Sequence, residues 1–518
     1  MILLTNGTVI DGSGQPSKES SVLIHNGRIE EVGKIDSSPD MEQVDCLGLA
    51  VAPGFIDVHS HADLEVLEHR AEKVMQGVTT EVVGNCGFSL FPKLPSSTDL
   101  VPTFNVFERR GERAWQDADA YFNDVETAGS YTNIAALTGH STLRANVSGM
   151  KAGKLDATTQ REAEHGLATC LDQGSIGLST GLNEVPSGYS DFDELVSLCR
   201  VVKQHDAFYT SHLRDYKFHI LEAVQEALDL GRHAQVPVEL SHLQTVGRKN
   251  WEKMDTVLAL VDDAHAEGVD VGIDAYPYLA GSCQLTQLLP TWCLEGGTEQ
   301  LLNRLAQKDL RPRIAEEAES NMGNDWQDIL ISSVENPVQQ ELVGQTIQQV
   351  ADQRGFPGVE TAIDLLIEND GAVRIISFNQ SEENLRKVLT HPLTSIITDG
   401  LITEGKPHPR TFGTYPTFLG EFIRDKGWLT LEEAVHKATG LPARRFRLGD
   451  RGVIQRHNWA DITVFSPEKI GTEGNYAEPD QTPEGIVHVL VNGNWVIRQG
   501  QLQNRFPGQP LRHSGSRT

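Results

Sequence analysis

Eight apolar, strand-like runs alternate with helix-like segments through the middle of the chain, at residues 54–58, 80–83, 133–137, 175–179, 207–211, 236–241, 269–275 and 395–398. Amphipathic stretches such as 218–230 and 251–267 lie between several of them. Strand–helix alternation repeated about eight times over roughly 350 residues selects a (β/α)8 barrel over an open sheet. An open doubly wound sheet usually follows its first strand with a glycine-rich phosphate turn. Here that position reads His59-Ser60-His61. Residues 373–378 form a ninth strand-like run, so the barrel count carries an ambiguity of one.

The ends of the chain have a different texture. Residues 1–54 read as short strands at 2–4, 9–10, 21–24 and 28–32, separated by Asn-Gly and Asp-Gly turns. Residues 448–518 repeat the pattern at 452–454, 461–465, 486–491 and 494–498. Two strand-rich blocks at opposite ends can pair into one small β domain, because termini often lie close together. The barrel is then expected over 55–447. Residues of about 284–345 break its rhythm, with helical stretches at 299–307 and 313–319 and no clear barrel strand. They are expected to form an inserted subdomain above the catalytic face.

Charge and composition narrow the function. Lys plus Arg number 44 against 72 Asp plus Glu, a net charge of −28, which argues against nucleic acid and anionic membranes as partners. No apolar run approaches the ~18–20 residues of a membrane span. The opening Met-Ile-Leu-Leu-Thr-Asn-Gly carries no basic cluster and no long apolar stretch. Six cysteines are scattered without C-x-x-C spacing. The expectation is a cytoplasmic protein with reduced thiols.

The chemistry-bearing residues sit at strand ends. Residues two apart in a strand face the same side, so His59 and His61 point together into the barrel. A histidine pair alone is often just buried and hydrogen-bonded. Here Cys86, His212, His242 and Asp399 each follow a different strand, at the end where barrel active sites assemble. A lone buried cysteine is ordinarily a small apolar residue, and a lone Asp before Gly a turn residue. Their shared topological position favours metal ligation instead, and this set of N, O and S donors suits zinc. His140 also ends a strand and is read as a supporting or structural residue. His165, His205, His233 and His265 fall in helical or loop contexts and read as surface residues.

Residues 52–61, Ala-Pro-Gly-Phe-Ile-Asp-Val-His-Ser-His, resemble the first-strand signature of the amidohydrolase superfamily. Gly84-Asn85-Cys86-Gly87, Ser211-His212-Leu213-Arg214, Ser241-His242-Leu243, Tyr276-Pro277-Tyr278, Thr398-Asp399-Gly400 and residues 408–414 resemble its N-acyl-D-amino-acid deacylase branch. The matches run in order along most of the chain. The resemblance implies a distorted (β/α)8 barrel with a small β-sandwich built from both termini. It implies a tight zinc site of Cys86, His212 and His242, and a weaker or partly occupied second site of His59, His61 and Asp399. Many superfamily members bridge two metals with a carboxylated lysine after the fourth strand. This chain reads Ser179-Thr180-Gly181 there, and a Cys86 thiolate is the sensible substitute. Gln244, Asp215-Tyr216-Lys217 and Thr417 depart from common family residues and bear on substrate choice.

Zinc would supply a water of lowered pKa and a Lewis acid for the carbonyl. Asp399 is expected to be general base and acid, taking a proton from the water and returning it to the leaving nitrogen. Arg410 is the candidate for holding the leaving amino acid's α-carboxylate. The resemblance adds Tyr276 and Ser282 to that role. Arg214 and Lys217 are weaker candidates for contacting an acidic side chain. The expected reaction is hydrolysis of a small-molecule N-acyl-D-amino acid. The alternative is another amidohydrolase reaction, on a cyclic amide or a dipeptide. A catalytically dead scaffold is disfavoured, because all six donors are present.

Overall fold

The computed structural model describes residues 1–94 and 114–513. Residues 95–113 of the expected barrel and 514–518 of the expected terminal domain lie outside the described residues. The barrel strands are β1 (Phe55–Asp57), β2 (Val78–Val83), β3 (Asn133–Ala136 and Thr138–Gly139), β4 (Gly177–Gly181), β5 (Phe208–His212), β6 (Val238–Leu240), β7 (Val271–Ala275) and β8 (Thr394–Ile396). Each corresponds to one of the eight runs read from the sequence. Every residue of these strands is buried except the half-buried His212 that ends β5, as a parallel sheet covered on both faces requires.

The barrel consists of two parallel arcs that share β3. Asn133–Ala136 pairs with β2, which pairs with β1. Thr138–Gly139 pairs with β4, and the ladder continues unbroken through β5, β6 and β7 to β8. Between β8 and β1 side chains and loop amides close the seam. The Thr398 amide donates to Asp57 Oδ1 at 2.9 Å. The Asp399 amide donates to the His59 carbonyl at 2.9 Å. Tyr415 Oη reaches the carbonyls of Ile56 and Ile396, each at 3.0 Å.

The outer helices follow from their apolar spacing. α1 (Ile220–Ala234) buries Ile220, Ala223, Val224, Ala227, Leu228, Gly231 and Ala234, one face at i, i+3, i+4 intervals. Full burial of a side chain such as Leu228 stabilises by about 1.5–3 kcal/mol. A Cβ on Gly231 would stand 2.8 Å from Val238 Cγ2, so glycine lets α1 close onto β6.

Both termini share one nine-stranded sheet, the β-sandwich expected from the resemblance. Ile2–Val9 pairs antiparallel with Lys18–His25 and parallel with Ala50–Pro53. Ala50–Pro53 in turn pairs antiparallel with Ile462–Phe465, which joins the two ends of the chain. Leu4, Val22, Ile24, Ile462, Val464 and Leu490 fill its core. Three details differ from the sequence reading. The runs 2–4 and 9–10 are one strand, because the Asn6-Gly7 turn signal produces a register irregularity and not a reversal. Residues 452–454 form no strand: the Ile454 amide donates to the Asp11 carbonyl and the Val453 carbonyl accepts from Asn458 Nδ2. The tail beyond 503 leaves the sheet and bonds to β3, through Ile134 N to Gln509 O and Leu511 N to Ile134 O.

The insertion is larger than 284–345. Ala280–Gln284, Ile329–Val334 and Val373–Phe378 form an antiparallel three-stranded sheet. It carries its own core, including Leu285, Leu301, Leu305, Ile314, Ile363 and Ile375. The ninth strand-like run therefore belongs here and not to the barrel. A short buried apolar run reads alike in a parallel barrel and in a covered antiparallel sheet.

Candidate active site

Six donors converge at the mouth of the barrel. The ligand atoms of His59, His61, Cys86 and Asp399 lie within 4.8 Å of one another, as do those of Cys86, His212 and His242. Cys86 belongs to both groups. Its Sγ is 3.2 Å from His59 Nε2, 3.5 Å from His212 Nδ1 and 3.5 Å from His242 Nε2. Asp399 Oδ1 is 3.1 Å from His61 Nε2 and 3.6 Å from His59 Nε2.

The turn after β2 aims the thiol. Cys86 has φ +53°, and its flanking Gly84 and Gly87 are also left-handed, at +78° and +80°. A side chain at Gly84 would collide with the Leu137 carbonyl. A Cβ at Gly181, where β4 ends, would collide with the Cys86 carbonyl. The Cys86 turn thus leaves no room for a side chain at position 181. His242 and Asp399 also adopt left-handed backbones, at +35° and +48°. Such conformations cost of order 1–3 kcal/mol each and cluster at functional sites.

Asp274 on β7 orders two donors. Its Oδ2 faces His59 Nδ1 at 3.2 Å, and its Oδ1 accepts the His242 amide at 2.5 Å. With Nδ1 facing Asp274, His59 would present Nε2 to a metal beside Cys86, the arrangement metal-bound histidines commonly show. Below it, Lys73 Nζ ties Asp57, Ser60 and Thr398 together, locking the ends of β1 and β8.

The electrostatics fit a cation. Burial depresses the pKa of His61 and of His242, and takes His212 down to about 3, so these rings are neutral, the form that binds metal. Burial pushes the Cys86 thiol up to about 11. A thiolate there needs a positive partner. Burial alone would raise Asp399 as well, but Arg410 and the His61 contact hold it well below the usual carboxylate range. Four imidazoles, a thiol and a carboxylate facing one another satisfy each other poorly by hydrogen bonds alone. They are a good donor set for zinc.

Arg410, Tyr276 and Ser282 stand at the same mouth. Arg410 Nη1 is 2.8 Å from Asp399 Oδ2, and its guanidinium lies 4.5 Å over the Tyr276 ring. Arg410 Nε is buried without a partner. Tyr276 Oη contacts Gln244 Oε1 at 3.4 Å. Ser282 reaches in from the insertion strand Ala280–Gln284 and lines the cavities on both sides of Asp399.

Other candidates fall elsewhere. His140 is buried between Glu194 Oε1 at 2.9 Å and Ser187 Oγ at 2.8 Å, beside Arg144. His165, His233 and His265 are exposed and His205 is partly so. Arg214 lines the larger cavity but is engaged by Glu226 and by the carbonyls of Gly188 and Ser190. Sequence reasoning missed Asp274 and Glu184. An acid inside the apolar run 269–275 was the available signal for Asp274. Glu184 lines the metal-side cavity, and burial pushes its pKa up to about 7. Nothing in its local sequence marks it.

A buried N, O and S donor cluster on a barrel's strand ends, open to a cavity, is the site of a metal-dependent hydrolase. The model of the Amidohydrolase family matches residues 42–497. An N-acyl-D-glutamate deacylase of Alcaligenes xylosoxydans xylosoxydans is 35% identical over 99% of this chain and 97% of its own. A D-aminoacylase of that organism is 32% identical over 98% and 97%. The crystal structure of N-acyl-D-glutamate deacylase from Bordetella bronchiseptica, complexed with zinc and a phosphonate inhibitor, superimposes with a TM-score of 0.86 at 32% identity, covering 99% of both chains. A D-hydantoinase, at 15% identity and a TM-score of 0.58, shares the fold alone. The chain belongs to the D-aminoacylase family of the amidohydrolase superfamily. No helix among the described residues is long and apolar enough to cross a membrane.

Proposed function

We propose that this protein hydrolyses the amide bond of N-acyl-D-amino acids, releasing a carboxylate and a free D-amino acid. The observation that carries the reading is the meeting of the six donors with Arg410, Tyr276 and Ser282 at one barrel mouth. Full-length similarity to an N-acyl-D-glutamate deacylase and a D-aminoacylase supports the substrate class and its D configuration.

Cys86, His212 and His242 would hold one tightly bound zinc, and His59, His61 and Asp399 a weaker second ion. Zinc, when bound, supplies a Lewis acid and a water acidic enough to ionise near pH 7. Asp399 is the general base and acid. Its carboxylate is ionised, held on Oδ2 by Arg410, and its Oδ1 faces the donor cluster. It accepts a proton from the attacking water and delivers it to the leaving nitrogen. Arg410, Tyr276 and Ser282 hold the α-carboxylate. As Arg410 engages the substrate it shares its charge between that carboxylate and Asp399, which raises the basicity of Asp399. Asp274 acts through His59 and the His242 backbone, and is a positioning residue.

The test is amine release by zinc-loaded protein from N-acetyl and N-formyl D- and L-amino acids, with hydantoins and dipeptides as controls. Turnover confined to N-acyl-D-amino acids is expected. Turnover of a cyclic amide or a dipeptide, with none of the N-acyl-D-amino acids, would overturn the reading.

A further inference from the structure

Two cavities meet at Asp399. The smaller, about 80 Å³, is lined by His61, Cys86 and Glu184. The larger, about 270 Å³, is lined by Tyr276, Gln244 and residues 215–219. Arg410 and Ser282 border both, so an α-carboxylate held by them sits at the neck. Tyr276 borders only the larger cavity. Tyr276 thus draws the amino-acid half of the substrate into the larger cavity and leaves the smaller for the acyl group.

Three cations face the larger cavity, and two are committed. Arg410 is paired with Asp399 and stacked on Tyr276. Arg214 is paired with Glu226, with Nε at 2.9 Å from Oε2, and donates to two backbone carbonyls. The Lys217 ammonium has no hydrogen bond or ion pair among the described residues. Asp215 exerts a favourable field on it, but Asp215 Oδ1 accepts the backbone amides of Lys217 and His219. Burial lowers the Lys217 pKa, with Asp215 opposing. A buried ammonium with no direct ion pair or hydrogen bond is costly, and a ligand carboxylate would relieve that cost. The same cavity holds a second unsatisfied group. Asn379 is 6% exposed, and its Oδ1 is buried with no hydrogen-bond partner among the described residues. The two ends of an amide exchange by a flip, so Asn379 can turn an N–H into the cavity.

We propose that Lys217, aided by Asn379, binds a second carboxylate on the substrate's side chain. The preferred substrates are then N-acyl derivatives of D-aspartate or D-glutamate. This inference rests on the deacylase reading and names the residue that selects among its substrates. In a chain of net charge −28, a dianionic ligand needs such a local cation.

The experiment compares kcat/KM for N-acetyl-D-glutamate, N-acetyl-D-aspartate, their amides N-acetyl-D-glutamine and N-acetyl-D-asparagine, and N-acetyl-D-methionine. It uses zinc-loaded wild type, Lys217→Met and Lys217→Arg, with zinc content and circular dichroism as folding controls. Wild type is expected to prefer an acid over its amide by on the order of 100-fold. Lys217→Met should collapse that ratio, mainly through KM, and Lys217→Arg should keep part of it. Equal turnover of acids and amides by wild type, or an unchanged ratio in Lys217→Met, overturns the proposal and leaves the deacylase reading intact. Wild type silent on every N-acyl-D-amino acid overturns that reading, and the proposal with it.

Discussion

The strand ends and the insertion form facing walls of one active-site mouth, and they are built on different terms. On the strand-end wall, His59 is fully buried and Asp399 is 6% exposed, and both are fixed by bonds that cross from β1 to β7 and β8. On the insertion wall, Ser282 and Cys283 are half-buried, and Gln287 and Leu288 sit on a short helical turn. That wall rests on a core separate from the barrel's. The contrast assigns different tasks to the two walls. Donors that must keep their places stand at the strand ends of one closed barrel. Groups that shape the cavity stand on a unit that can vary without disturbing them.

That division makes graded predictions. Asp399→Asn removes the proposed general base and one donor, and should lower kcat by about 10³-fold or more while the fold is kept. Retained hydrolysis would show that the base lies elsewhere. Cys86→Ala removes the one donor common to both groups. Metal analysis after dialysis should show zinc lost, with hydrolysis falling in step. Asp274→Asn keeps every donor but upsets the orientation of His59 and His242. Its expected cost is about 10–100-fold in metal affinity or kcat, read by competition with a chelator. Unchanged affinity would remove Asp274 from the account. Ile375→Ala opens a hole in the insertion core. It should cost roughly 2–5 kcal/mol of local stability, seen as faster amide exchange over 280–378, with KM rising a few-fold and zinc content unchanged. Loss of zinc in that variant would erase the distinction between the walls.

The same division explains what the sequence revealed. His59 and His61 were legible because a strand's period of two puts both on one side. Cys86, His212, His242 and Asp399 were legible because each follows a different run in the strand–helix alternation that selects a barrel. The resemblance then added the grouping of these donors. Asp274 was not legible, since its partners lie on other strands and only the closed barrel brings them together. The left-handed backbones at Cys86, His242 and Asp399 were hidden too, because no side-chain pattern announces them. The insertion's limits were misjudged because Val373–Phe378 is apolar enough for either sheet. Lys217 appeared in the sequence as one cation beside Arg214. Only their contacts separate them, since Arg214 is ion-paired with Glu226 and Lys217 forms no ion pair among the described residues.

The proposal that Cys86 joins two histidine groups into one metal centre carries the rest of the account. X-ray absorption at the zinc edge tests it most directly. The account predicts one sulfur scatterer at about 2.3 Å among nitrogen and oxygen neighbours, and its loss in Cys86→Ala. A wild-type spectrum with nitrogen and oxygen scatterers alone would contradict it.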